Sequence, residues 1–209
     1  MHRRRFLHAA AISTLATPLT TTTIAARQQE KPPADPSGLA TRVAAVDPAD
    51  LLEALLTTPV TTPLLPSDTM PIEPVPWDDP SDSDLTNALG AVAFNFGYDD
   101  NDNFLAIGNA MVHPDADSAA AFMSATGDPA LPTFLGLPWA TFAEEDYAIS
   151  AVQVGYLILV GGAEPAPENM NAAASPVADQ GAGSLTLRAI SHMTALLAHL
   201  DQVLADLNA

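Results

Sequence analysis

The chain reads as an α+β protein: an antiparallel four-stranded sheet in β-β-α-β-β-α order, its helices packed on one face, preceded by a proline-rich extension. Three observations predict that class. Apolar residues alternate with small or polar ones in paired short runs, the last segment repeats apolar residues at steps of three and four, and eleven of the nineteen prolines crowd into residues 27–80. Strands joined by hairpins, with helices gathered over them, form a two-layer α+β sandwich.

Residues 27–84 make the extension, because proline is excluded from helix interiors and central strands. One helix interrupts it near residues 48–57. Asp47 is placed as its N-cap and Pro48 as its first residue, and Leu51, Leu52, Leu55 and Leu56 fall on one stripe. The following residues 58–76 read as extended chain wrapped over the domain, with Trp77 as an anchor.

The compact domain spans residues 85–209, long enough for one core. Val92, Phe94, Phe96 and Tyr98 alternate with Ala91, Ala93, Asn95 and Gly97, the period of a half-buried strand. Residues 99–103 form an all-polar turn, and residues 104–112 return as the second strand. His113-Pro114-Asp115 caps a helix that faces Ala119, Phe122 and Met123 inward and stops at Gly127. Residues 128–146 read as loop, held by Phe134, Leu135, Leu137 and Trp139. Residues 147–154 and 157–161 are strands joined by Gly155-Tyr156, and glycine in the first loop position suits a type II′ turn. After a second loop, the helix from Ser184 carries Ile190, Met193, Leu197, Leu200, Leu204 and Leu207, widened by Leu196 and Val203.

Composition removes whole classes of function. With no cysteine, there is no disulfide, thiol nucleophile or cysteine-ligated metal. All 25 acidic residues lie at or after Glu30, while Arg188 is the only permanent cation from Val43 onward. Such a surface repels phosphate backbones and anionic lipid, so neither nucleic acid nor a membrane surface is an expected partner. Weak attraction of divalent cations is compatible with it.

The N-terminal run Arg3-Arg4-Arg5-Phe6-Leu7-His8 resembles the twin-arginine export signal, whose pattern is R-R-x-F-L-K. Arg3 and Arg4 fill the pair, Phe6 and Leu7 the apolar positions, and His8 stands where lysine is usual. Residues 9–26 then carry no charge, are rich in Ala and Thr, and contain Pro18, which makes a poor membrane span. Residues 1–26 are therefore expected to be a removable signal peptide, with Thr23-Ile24-Ala25 the best cleavage fit and no membrane anchor left behind. The resemblance implies the twin-arginine translocation machinery as a partner and a destination outside the cytoplasmic membrane. Loss of Arg3, Arg4 and Arg5 takes the formal charge from −18 to −18 − 3 = −21.

No catalytic, cofactor or metal residue is assigned. Asp99-Asp100-Asn101-Asp102-Asn103 starts like an EF-hand loop, but Phe104 replaces its glycine and Ala110 its bidentate glutamate. The run from Asp78 to Asp84 also lacks that frame, and reads as a polar linker. His192 and His199 stand seven apart, beside the stripe of the last helix, whereas metal pairs on one helix sit four apart. His113 has no G-x-S-x-G nucleophile to serve. Glu144-Glu145-Asp146 reads as a solvated turn, and Gly161-Gly162 and Gly181-Ala182-Gly183 lack the basic residue of a phosphate loop. The expected role is a non-catalytic binding or sensing domain. The alternative is an exported metal- or cofactor-dependent enzyme, using His113 or an acidic cluster, with the cofactor unknown; many substrates of this export route cross folded with one.

Overall fold

Asp47 opens the helix foreseen in the extension: its side chain accepts a hydrogen bond from the Ala49 amide at 2.9 Å, and Pro48 occupies the first turn, where its missing N–H costs nothing. The computed structural model describes residues 38–61, 72–77, 87–98, 104–125, 132–144, 147–164 and 182–208. The export signal, its cleavage point, both aspartate-rich runs and most of the loop before the last helix lie outside them. The elements are α1 (Leu39–Ala44), α2 (Pro48–Thr57), β1 (Pro74–Trp77), β2 (Gly90–Tyr98), β3 (Phe104–Val112), α3 (Ala116–Ala125), β4 (Thr133–Phe134), β5 (Leu137–Ala143), β6 (Ala148–Val154), β7 (Leu157–Ala163) and α4 (Ala182–Leu207).

The sheet has seven strands, in the order β1-β2-β3-β7-β6-β5-β4, and every pair is antiparallel. This corrects the expected four-stranded sheet. The four expected strands, β2, β3, β6 and β7, form its centre, and the missed ones lie at the two edges. Proline hid them. β1 reads Pro-Val-Pro-Trp, and β5 has Pro138 as its second residue. A proline argues against a central strand, but an edge strand tolerates it because one side of its backbone needs no partner. Pairing of β5 with β6 begins at Trp139, the residue after Pro138. β4 and β5 are joined by Leu135-Gly136 with φ of 53° and 81°, the left-handed pair of a type I′ turn.

Helices cover both faces, which corrects the one-face expectation as well. Alternate residues of each central strand go to different cores. Val92, Phe94, Val112, Val152, Leu157 and Leu159 meet Met193, Leu196, Leu200 and Leu204 of α4, together with Leu39, Val43, Leu51 and Leu55 of α1 and α2. Ala91, Met111, Ala151, Ile158 and Val160 turn the other way and pack with Ala119 and Met123 of α3. The unbroken apolar run Leu157-Ile158-Leu159-Val160 is what a strand buried on both faces requires. α3 is capped where expected, the Asp115 carboxylate accepting from the Ser118 amide at 2.7 Å.

The extension is tied into the same core. The Tyr156 hydroxyl donates to the Val46 carbonyl at 2.9 Å, and Gly155, at φ 61°, brings the β6–β7 turn against Val43. Arg42 pairs with the Asp201 carboxylate and also donates to its backbone carbonyl, joining α1 to α4.

α4 lies backbone to backbone on β7. A Cβ placed on Gly161 would strike the Ala189 carbonyl oxygen and the Met193 amide nitrogen, two partners in one turn of the helix. Neither can move without displacing α4. Gly161→Ala is therefore expected to cost about 3 kcal/mol or more, read as a lower urea midpoint. Gly90→Ala makes the contrast. Its Cβ would meet only the flexible end of Leu52, so a cost under about 1 kcal/mol is expected.

Candidate functional site

Histidine is the residue most able to do chemistry in this chain, and burial decides what each one can do. His113 follows β3 and is 0% exposed, His192 is 9% exposed and His199 2% exposed. The two histidines of α4 therefore face the sheet, not solvent beside the stripe. The sevenfold spacing placed them on one side correctly, and that side is the buried one.

Their surroundings differ. The His192 Nδ1–H donates to the Gly162 carbonyl at 2.8 Å, which fixes the neutral tautomer with the proton on Nδ1. Burial pushes its pKa down to about 4; the Gly162 carbonyl opposes that shift and the nearby Arg188 cation adds to it. His199 stands edge-on to Phe94, with ring centroids 5.5 Å apart, and neither of its ring nitrogens has a hydrogen-bond partner. Burial alone takes it to about 4 as well. His113 packs against Phe122 at 5.7 Å and likewise has no hydrogen bond of ordinary geometry. Burial lowers its pKa, against weaker support for the proton from the backbone of Asn87 and the charge of Asp115.

The three rings do not converge. His113 lies on the α3 side of the sheet, and His192 and His199 are two turns apart on α4. Among the described residues no group of three or more His, Asp or Glu side chains is placed to hold a metal ion. Gly161-Gly162, weighed as a phosphate loop, has a different use: it seats α4 and anchors His192.

Sequence reasoning missed a buried polar line beneath α4. The Trp139 indole N–H donates to the Ser150 hydroxyl at 2.7 Å, and that hydroxyl donates to the Met193 sulfur at 3.2 Å. Ser150 pairs with Gly161 across the β6–β7 ladder, so the line runs beside the helix contact. On the other face the Gln153 amide bridges the Ala116 and Gly155 carbonyls, both at 3.0 Å. Trp139, Ser150 and Gln153 each find a hydrogen-bond partner within the fold. The signal available was Ser150 and Gln153 interrupting an otherwise apolar strand.

Glu144, the first residue of the acidic triplet, is exposed at the end of β5, and its amide donates to the Tyr147 carbonyl at 2.8 Å. Glu145 and Asp146 lie outside the described residues. No described helix is long and apolar enough to cross a membrane. Compared with known protein families, curated proteins and solved structures, the chain has no significant match.

Neutral, buried histidines couple stability to pH. Below about 6.5 the unfolded chain takes up protons that the folded one refuses until about 4. Stability is therefore whole above about pH 6.5 and falls as pH drops toward 4, by on the order of 3 kcal/mol for each of His192 and His199. Urea midpoints across that range should fall accordingly. His199→Leu should flatten the acid limb, an effect that carboxylate titration cannot mimic.

Proposed function

We propose that the protein is exported through the twin-arginine route and acts outside the cytoplasmic membrane as a non-catalytic binding domain. What supports the binding reading is the burial of its histidines. Each of the three described histidines is buried, and His113 and His199 have no hydrogen bond of ordinary geometry on either ring nitrogen. A general base must reach the proton it removes, and a ligating imidazole must reach its metal. These rings are packing residues, so recognition falls to the surface of the sheet and helices. The export reading is supported by Arg3, Arg4, Phe6 and Leu7 and the uncharged segment behind them. Its first partner is then the translocation machinery.

Changing Arg3 and Arg4 together to Lys keeps the charge but removes the planar guanidinium groups. The expected outcome is unprocessed precursor retained in the cytoplasm, detected by fractionation. The processed wild-type protein should purify with less than one equivalent of any metal by elemental analysis. Undiminished export of the double variant overturns the route. A stoichiometric metal that His113→Ala releases overturns the non-catalytic role.

A further inference from the structure

The two faces of the sheet hold their helices unequally. α4 sinks Met193, Leu196, Leu200 and Leu204 into one core, whereas α3 buries only Ala119 and Met123 in the other. Elements with few buried apolar contacts are the first to open, so α3 depends on its fastenings. Three of them hold its first turns. The Asp115 carboxylate caps the helix at the Ser118 amide, the Gln153 side-chain amide donates to the Ala116 carbonyl, and Phe122 packs on the His113 ring.

His113 is fully buried, and no hydrogen bond of ordinary geometry reaches either ring nitrogen. A neutral imidazole can stay there, but an imidazolium carries a full charge and two N–H donors that need acceptors. Among the described residues the groups near it are few. The start of α3 presents Asp115 and Asp117, and Asp115 acts on the ring by its charge. The segment before β2 offers the Asn87 backbone. In the β6–β7 turn the Tyr156 carbonyl already accepts from the His113 amide, and the Tyr156 hydroxyl is committed to Val46, with Asp47 and Asp50 facing it. β2, β3, β6 and β7 carry no charged side chain, and Tyr98, their only titratable residue, stands at the far end of β2. The carboxylate able to answer a charged His113 ring is therefore the one that caps α3. The Ser118 amide, and after it the Ser118 hydroxyl, holds the Asp115 carboxyl below its usual range, so Asp115 stays ionised while His113 titrates.

We propose that His113 and Asp115 form a proton-operated catch for α3: on acidification the charged His113 ring draws the Asp115 carboxylate from the Ser118 amide, the cap fails, and α3 lifts from the sheet. Lifting withdraws Ala119 and Met123 from Ala91, Met111, Ile158 and Val160. The direction follows from burial, which keeps the closed ring neutral and favours the proton only in the open form. The catch is thus shut above the ordinary imidazole range near 6.5 and opens as pH falls below it. This goes beyond the binding reading and does not depend on it.

The test is hydrogen exchange of the purified protein between about pH 7.5 and about pH 5, corrected for the intrinsic effect of pH on exchange. Protection of amides 118–125 is expected to fall by up to about ten-fold per pH unit below the imidazole range, the dependence of one proton. His113→Phe keeps an aromatic ring against Phe122 and removes the proton, so the response of α3 should vanish. Asp115→Asn keeps a capping side chain at an exposed position and removes its charge, so the midpoint should move to lower pH. His199→Leu, on the other face, should leave the response of α3 in place. A response that survives His113→Phe overturns the catch. So does one that His199→Leu abolishes, because α3 would then open only with the whole fold. A midpoint unmoved by Asp115→Asn overturns it as well, since the carboxylate would have no part in the opening.

Discussion

The contact between α4 and β7 at Gly161 is the constraint on which the rest of the molecule depends. Helix and strand meet there without an intervening side chain. Gly161 pairs with Gly108 on one side and Ser150 on the other, and Ala148, Ala163 and Ala189 gather one step away. Once the helix axis is held at that depth, its apolar stripe has fixed destinations: Met193, Leu196, Leu200 and Leu204 fill the space over the central strands. The same depth buries His192 and His199. A helix resting higher on larger side chains would leave room for water beside both rings.

That burial has an energetic consequence in a chain without cysteine. No disulfide restrains the unfolded state, so stability rests on packing and on the hydrogen bonds packing encloses. Two rings with no partner for either nitrogen are a standing cost, since an unpaired buried polar group is worth on the order of 1–3 kcal/mol. The edge-on contact of His199 with Phe94 offsets part of it, of order 1 kcal/mol. The core is therefore stable with neutral imidazoles and intolerant of charged ones.

Much of this fold was legible in the sequence, and the failures share one cause. The period-two pattern located β2 and β3, the glycine turn located β6 and β7, and the three-four pattern located α4. Capping residues placed α2 and α3, because Asp47 and Asp115 act locally and need no tertiary partner. The edge strands were missed because proline reports what a backbone cannot donate, and whether a donor is needed depends on neighbours distant in sequence. The second covered face was missed for a similar reason. Val92 and Phe94 alternate with Ala91 and Ala93, and alanine reads as an open face until α3 is seen to pack there. Among the side chains with chemical capacity, spacing put His192 and His199 on one side of α4. Which side is buried was settled by the close approach of α4 to Gly161, on a strand distant in sequence.

Edges and charge belong to one problem. Among the described residues the seven-stranded sheet ends in edge strands on both sides, and an unprotected ladder recruits copies of itself. At β1 the protection is covalent, since Pro74 and Pro76 have no N–H to offer. At β5 Thr141 and Ala143 are exposed, and the exposed carboxylate of Glu144 stands at its end instead. Proline excludes every strand alike, whereas charge excludes only strands of its own sign. The two edges of this sheet are thus limited by different means, proline at β1 and the carboxylate of Glu144 at the end of β5.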